Sequence, residues 1–333
     1  MLCMQASGLR NFLASACLRF AAMSLAEAGR PLRVALGSFT QPWSFGPYAK
    51  QLTILASQLA RRHLVVWLAF SYPKTDPKVG VPNLPENVTM LGCAFPKNTG
   101  FYVSRLNKLL RDINVDALIT LMDMNRVFVD EMLAPTSIAW FPNHFVTLDL
   151  HSRHALTAYD AVAVLGPSDS KRVAEQLPHK HVTHVPHVVE DPQALQQRGR
   201  GSLRDKFGMP RDRFVVLVNF ANYAADTNRK SVDVSLLAFR DFLAARPDGF
   251  LYLHAVTLPT EGMPLPAMIA QLALPSGAFT LDTRELRYEE SLELQRAADV
   301  LQRGQSRRVG GATDGHRQLA RLHLKAWGCP PHW

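Results

Sequence analysis

RVALGSFTQPWSFGPYAKQLTILASQLARRHLVVWLAF, residues Arg33–Phe70, decides the fold. Its first seven residues are a short apolar run ending near Gly37. Tyr48, Leu52, Leu55 and Leu59 then recur at helical spacing behind Pro47, a residue suited to the first helical position. The run HLVVWLAF follows as a second strand. Strand, helix and strand within forty residues form a βαβ unit, which requires a parallel sheet with helices on its faces.

Beyond Phe70 the alternation continues. A helix is expected near Val103–Arg111, strands at DALITL and SIAWF, a helix near Ser152–Ala158, a strand at DAVAVLG and a helix at SDSKRVAEQL. The stretch from His181 to Arg213 breaks this rhythm with prolines, glycines and mixed charge, and reads as a crossing between domains. A second series then opens with FVVLVNF and runs through SVDVSLLAFRDFLAA, FLYLHAV, LPAMIAQLAL, AFTLD and YEESLELQRAA to DVL. The expected division is an extension at 1–30, a first Rossmann-like domain at 31–188, a linker at 189–212, a second and incomplete Rossmann-like domain at 213–301, and a basic tail at 302–333. Two such domains facing across a cleft bind ligands at the carboxyl ends of their parallel strands.

Composition fits a folded protein: 333 residues, 47% of them hydrophobic. The net charge of +9 is uneven, because residues 302–333 hold six basic residues and one acid, more than half of the total. Four cysteines without paired spacing argue against a disulfide scaffold and fit a reducing compartment. No apolar run approaches the roughly 18 residues of a membrane span. Residues 1–30 carry Arg10, Arg19 and Arg30 with no acid before Glu27, as in an organelle transit peptide; the alternative is an upstream extension ahead of a start at Met23. The expected location is accordingly the cytoplasm, or an organelle if residues 1–30 direct it there.

In their ordered succession, residues 33–301 resemble the group 1, family 4 type, GT-B glycosyltransferases. The resemblance rests on VALGSFTQPWSFGPYAKQLTILASQLARR, SIAWFPNHF, YDAVAVLGPSDSKRVAEQ, HVPHVV, LRDKFGMPRDRFVVLVNFANYAADTNRKSVDVSLLAFRDFLAARPDGFLYLH and LQRAADVL. It implies an α/β GT-B fold and transfer of a hexosyl group from a nucleotide-diphosphate sugar to an acceptor bound mainly by the first domain. The acceptor, whether glycan, lipid or protein, is left open. Retention of anomeric configuration, no bound metal and no cofactor are implied, the nucleotide sugar being a co-substrate.

At the positions that match, Arg229 and Lys230 would hold the donor diphosphate, where fixed cations stabilise the charge of the leaving group. Asn222 stands at the preceding strand end, within reach of the same phosphates. Ser44 and Gly46 lie just before a helix N-terminus on the acceptor side, although the family's Gly-Gly pair is missing there and a packing turn reads equally well. His144 falls where the family presents a polar residue to the cleft, as a catalytic contact to sugar or acceptor hydroxyl; a structural role beside the Pro-Asn turn is its alternative. His187 matches a strand-end histidine between the domains, with Val188 in place of the usual glycine. His179, His181, His184 and His187 have mixed spacing that fixes no single ligand face, so no metal is expected.

After AADVL the family continues with a loop of the form Ser-x-x-Glu-Gly-Phe-Gly and a helix bearing a further glutamate. From Gln302 onward this chain has no glutamate. Codons such as CGA-AGG-GTG-GGG-GGC for Arg307–Gly311, read one nucleotide later, give Glu-Gly-Trp-Gly; residues 302–333 are therefore expected to reflect a frameshift or altered splicing, and activity to be impaired. Two further readings stand beside this one: a GT-B-fold binding or regulatory protein without catalysis, and a nucleic-acid binder through the basic tail. Specific nucleic-acid recognition is not expected, because no recognition motif accompanies the tail. Dinucleotide, P-loop and serine-hydrolase readings lack their key glycine, lysine and serine patterns.

Overall fold

The computed structural model describes residues 30–44, 46–75, 79–80, 84–95, 100–143, 147–188, 199–222, 231–257 and 262–302. They fall in two units, residues 1–190 and 191–333, each built on its own sheet.

In unit 1 the opening stretch folds as its pattern requires. Strand β1 (Arg33–Ser38), helix α1 (Pro47–Leu59) and strand β2 (Leu64–Ala69) form a parallel βαβ unit, with Val34 opposite Val65 and Leu36 opposite Trp67. Then follow β3 (Val79–Gly80), β4 (Val88–Gly92), β5 (Phe101–Tyr102), α2 (Val103–Asp112), β6 (Ala117–Leu121), a 3-10 turn at Met124–Arg126, β7 (Val127–Phe128), β8 (Thr136–Phe141), α3 (Leu150–Thr157), β9 (Ala161–Val164), α4 (Pro167–Gln176) and β10 (His181–His184). The sheet order is β10-β9-β8-β6-β1-β2-β4-β3, with only β3 antiparallel; β5 and β7 pair separately as a short parallel ribbon. Strands buried on both faces read as continuous apolar runs. Accordingly α1 packs Leu52, Leu55 and Ala56 with Trp67 and Trp140 on one face, while Leu106, Leu110, Leu156 and Val173 of α2, α3 and α4 join the core on the other. Asp149 starts α3 by accepting the Ser152 backbone N–H at 2.8 Å.

Unit 2 contains α5 (Arg200–Phe207), β11 (Phe214–Asn222), α6 (Val232–Ala245), β12 (Gly249–Thr257), α7 (Leu265–Gln271), β13 (Phe279–Asp282), α8 (Tyr288–Ala297) and β14 (Val300–Gln302). Its four strands are all parallel, in the order β13-β12-β11-β14. Helices α6 and α7 cover one face through Leu236, Phe239, Leu265 and Ile269; α5 and α8 cover the other through Leu203, Phe207, Leu294 and Ala297.

One detail differs from the sequence reading. The stretch that breaks the rhythm opens on strand β10 at the sheet edge, in keeping with the strand-end reading of His187, but its last part holds a helix, α5, that was not expected. The helix is short and flanked by glycines, which hides its period. It buries Leu203 and Phe207 and ends where Gly208 takes a left-handed φ of 66°.

Candidate functional site

In an open parallel sheet the ligand end is the carboxyl edge, where the strand order switches direction. Unit 1 runs outward from β1 to β4 on one side and from β6 to β10 on the other, so its switch point lies between β1 and β6. The two strand ends are tied there: the Ser38 hydroxyl donates to the Leu121 carbonyl at 2.9 Å. Just beyond, the Tyr48 hydroxyl at the start of α1 meets Asp123 Oδ1 at 3.2 Å.

The loop from β1 to α1 is braced at nearly every step. Trp67 Nε1 donates to the Thr40 carbonyl (3.1 Å), the Ser71 hydroxyl to the Phe39 carbonyl (3.1 Å), and the Thr40 N–H to Ser38 Oγ (3.2 Å). Residues 41–44 then close on themselves. The Ser44 N–H donates to the Gln41 carbonyl (3.0 Å), the Gln41 N–H to Ser44 Oγ (3.1 Å), and the Ser44 hydroxyl to Gln41 Oε1 (2.9 Å). Ser44 thus uses both its backbone donor and its hydroxyl inside the turn. Gly46 is the N-cap of α1 at φ −75°, and a Cβ there would meet no atom within 4 Å.

His187 lies at the same edge, just after β10. Its ring is edge-on to Trp140 at 5.6 Å and to Tyr48 at 6.3 Å. Nε2 is buried without a hydrogen-bond partner, and burial lowers the ring's pKa, which favours the neutral imidazole. A buried ring nitrogen left unsatisfied at a ligand edge is a candidate contact. Its neighbour is fixed: Val188 exchanges two hydrogen bonds with the Gln51 side chain, at 2.7 and 2.8 Å. His184 instead pairs its Nε2 with the Leu165 carbonyl at 3.1 Å. Among the described residues no group of three or more His, Cys, Asp or Glu is placed to hold a metal ion.

Unit 2 switches direction between β11 and β14. The segment that leaves β11 contains Arg229 and Lys230, which lie outside the described residues, as does His144 in unit 1. Asn222, the last residue of β11, is buried, and its amide both donates to the Met263 carbonyl (3.0 Å) and accepts the Met263 N–H (2.9 Å). It braces the strand end against the segment that precedes α7.

A second polar construction was not foreseen. Asn219, His254 and Asp282 occupy one register row across β11, β12 and β13. Their bonds converge on Arg284, just past β13. Asp282 accepts the Arg284 backbone N–H (3.0 Å), its Nε (2.9 Å) and one terminal nitrogen (2.8 Å), and also the Tyr252 hydroxyl (2.7 Å). His254 Nε2 donates to the Arg284 carbonyl (2.9 Å), while its Nδ1 faces the Asn219 amide oxygen (2.9 Å). Burial alone would raise the Asp282 carboxyl, but hydrogen bonds from Arg284 and Tyr252 outweigh it and hold the group well below the usual carboxylate range. The Asp282 side chain is 5% exposed and that of Arg284 63%, so a buried carboxylate aims a cation into solvent. The signal in sequence was a polar residue near the end of each otherwise apolar strand: Asn219 in FVVLVNFAN, His254 in FLYLHAV, Asp282 in FTLD.

Neither known family models nor the sequences of curated proteins give a match to this chain. Solved structures do match it in fold. A sucrose-phosphate synthase from Thermosynechococcus elongatus is similar with a TM-score of 0.59 at 14% identity, over 81% of this chain and 74% of that one. A trehalose-6-phosphate structure from E. coli bound with UDP-2-fluoro glucose has a TM-score of 0.54 at 12% identity, over 86% and 81%. The UDP-N-acetylglucosamine 2-epimerase from Rickettsia bellii has a TM-score of 0.51 at 10% identity, over 82% and 74%. No helix among the described residues is long and apolar enough to cross a membrane. The chain has the α/β GT-B fold, with two Rossmann-like units, each on a sheet that is parallel apart from the edge strand β3.

Proposed function

We propose that this chain is a glycosyltransferase of the family 4 type that takes a hexosyl group from a nucleotide-diphosphate sugar, with the donor on unit 2 and the acceptor on unit 1. The observation that carries this reading is the Arg284 assembly at the carboxyl edge of the second sheet. Three buried side chains hold one guanidinium and its backbone in place: Asp282 and His254 bond Arg284 directly, and Tyr252 braces Asp282. Its outer edge and planar faces suit the carbonyls or the ring of a nucleobase.

Strand β13 is two strands from β11, about 10 Å away at the usual strand spacing. A nucleoside diphosphate laid along this edge spans that distance, bringing its phosphates to the segment after β11. There Arg229 and Lys230 take the diphosphate, and their charge stabilises the leaving group without a metal. Asn222 fixes the base of that segment through Met263. On unit 1 the neutral ring of His187 offers a hydrogen-bond contact to substrate, and His144 serves the transferred sugar or the acceptor hydroxyl. The resemblance implies retention of anomeric configuration.

Residues 302–333 contain no glutamate, so the carboxylates that the family uses on the donor sugar have no counterpart in that stretch, and turnover of the chain as given is expected to fall far below what nucleotide binding alone would support. The same observation favours a second reading, a nucleotide-binding protein of this fold without catalysis.

Calorimetric titration with UDP, GDP and ADP tests the binding claim. One of the three is expected to bind, and Arg229→Ala with Lys230→Ala to weaken it at least about ten-fold, as for lost charge-assisted bonds. A folded protein that binds none of them sinks the proposal. Hydrolysis or transfer of UDP-glucose separates the two readings, since detectable turnover removes the second.

A further inference from the structure

We propose that Trp43 is the stacking platform for a hexopyranose ring of the acceptor, which makes the acceptor a carbohydrate or a glycoconjugate. The inference rests on the glycosyl-transfer reading above and names the substrate class on its unit-1 side.

Three independent features single out this side chain. The other two tryptophans among the described residues are core groups, Trp67 at 0% and Trp140 at 1% exposure, whereas Trp43 is 49% exposed. Single exposed apolar residues are common on protein surfaces, but few are held as this one is. Trp43 occupies the third position of the turn Gln41-Pro42-Trp43-Ser44, with proline at the position that favours turning. The three Gln41–Ser44 hydrogen bonds close the turn, and the Trp67, Ser71 and Ser38 bonds anchor its base. Tyr72, arriving from the end of β2, meets the indole edge to face at 5.5 Å and 78°. The turn leaves the carboxyl end of β1, one of the two strands at the switch point, where a parallel sheet receives its ligand.

A rigid, half-exposed indole suits a sugar. The C–H bonds on one face of a pyranose carry partial positive charge and pack against the negative face of an aromatic ring, and indole has the largest such face. Holding the ring in place beforehand removes the ordering cost of binding. Polar groups for the sugar hydroxyls stand at the same edge in Asp123 and Tyr48.

The test uses the full chain labelled with 5-fluorotryptophan and read by fluorine NMR, the Trp43 signal being the one that disappears in Trp43→Phe. The probes are methyl α- and β-D-glucopyranoside, methyl β-D-galactopyranoside, maltose and glucose 6-phosphate, each with and without UDP. At least one is expected to move the Trp43 signal saturably while those of Trp67 and Trp140 stay in place. Trp43→Ala is expected to weaken that binding about ten-fold, and Trp43→Phe less, because it keeps a smaller ring. UDP affinity is expected to stay unchanged in both variants. Silence of the Trp43 signal with every sugar overturns the proposal, and so does sugar binding that survives Trp43→Ala. If UDP binds while Trp43 stays silent, only the platform fails. If neither UDP nor sugar binds, the transferase reading fails with it.

Discussion

The carboxyl edges of the two sheets are built from different chemistry. In unit 1 the loop after β1 is held by neutral groups: Ser38, Thr40, Gln41, Ser44, Trp67 and Ser71. In unit 2 the loop after β13 is held by an ion pair, Asp282 with Arg284, set on a row of buried polar side chains. A neutral brace fixes a shape and leaves the presented group, Trp43, uncharged. An ionic brace fixes a charge and holds it at the surface. The contrast is the one expected if the proposed sugar sits on one unit and the proposed nucleotide on the other, and it makes the two edges differ in how they fail.

The largest effect is expected at the opposite, amino edge of unit 2, where an ionic brace is most deeply buried. Arg204 donates to the carbonyls of Ala297 (3.0 Å), Arg211 (2.9 Å) and Arg213 (3.0 Å) and to Asp299 Oδ2 (2.6 Å), with its side chain 7% exposed. Arg204→Ala leaves a carboxylate and three carbonyls without this partner, and removing one member of a buried pair typically costs about 3–5 kcal/mol. Residue-resolved hydrogen exchange should show protection falling across β11, β12 and β14 while β1 and β2 keep theirs. Equal losses in both sheets would mean that the units do not respond separately.

Much of this fold was legible because apolar runs alternate with helical spacing along the chain, and the structure adds a device that recurs beside those runs. Asp116, Asp160 and Asp299 each stand just ahead of an apolar run, at DALITL, DAVAVLG and DVL. Each carboxylate accepts the backbone N–H of the neighbouring strand: Arg33 at 2.7 Å, Ser137 at 2.8 Å and Val215 at 2.8 Å. Apolar runs are local in sequence, so β1, β6, β8, β9, β11 and β14 could be read directly. The Arg284 assembly could not, because Tyr252 and Asp282 meet only through a strand register that exists after folding. Asn222 illustrates the same limit, since its position at a strand end was plain but its engagement by Met263 was not. Ser44, read as part of an anion loop or equally of a packing turn, closes the turn that presents Trp43. Arg229, Lys230 and His144 lie outside the described residues, and their assignments stand as proposals.

The next effect in size belongs to Asp282. Asp282→Asn keeps the shape but loses the charge that Arg284 and Tyr252 are bonded to, and hydrogen bonds to charged groups contribute about 1.5–3 kcal/mol. The carboxyl is held below its ordinary pKa in the folded chain, so its contribution is fully present above the unfolded carboxylate value of about 4 and is lost as the pH falls below it. Exchange protection in β12 and β13 of the natural chain should therefore decline on acidification below that value, and Asp282→Asn should remove this part of the pH dependence. The neutral braces around Trp43 contain no carboxylate, so the turn at residues 41–44 is the internal reference. An unchanged acid profile in Asp282→Asn would show that the ion pair adds nothing to the edge it spans.

The smallest effect sharpens the comparison on the unit-1 side. Gly46 has an ordinary extended backbone, φ −75° and ψ 157°, and an added Cβ would touch nothing within 4 Å. Glycine is preferred over alanine at an N-cap, so Gly46→Ala should cost about 0.5–1 kcal/mol. Unfolding midpoints should thus move by only a few degrees. The helix start that Gly46 caps has no acidic residue in its first turn, and if substrate backs onto it, a methyl group there changes ligand affinity with little change in stability. The neutral-brace account assigns recognition to the Trp43 face instead, and expects sugar and UDP affinities within about two-fold of the natural chain, a difference of about 0.4 kcal/mol. A ten-fold loss in an otherwise stable Gly46→Ala protein would move the substrate from the indole to the helix terminus, and would make the two carboxyl edges alike in drawing on charge.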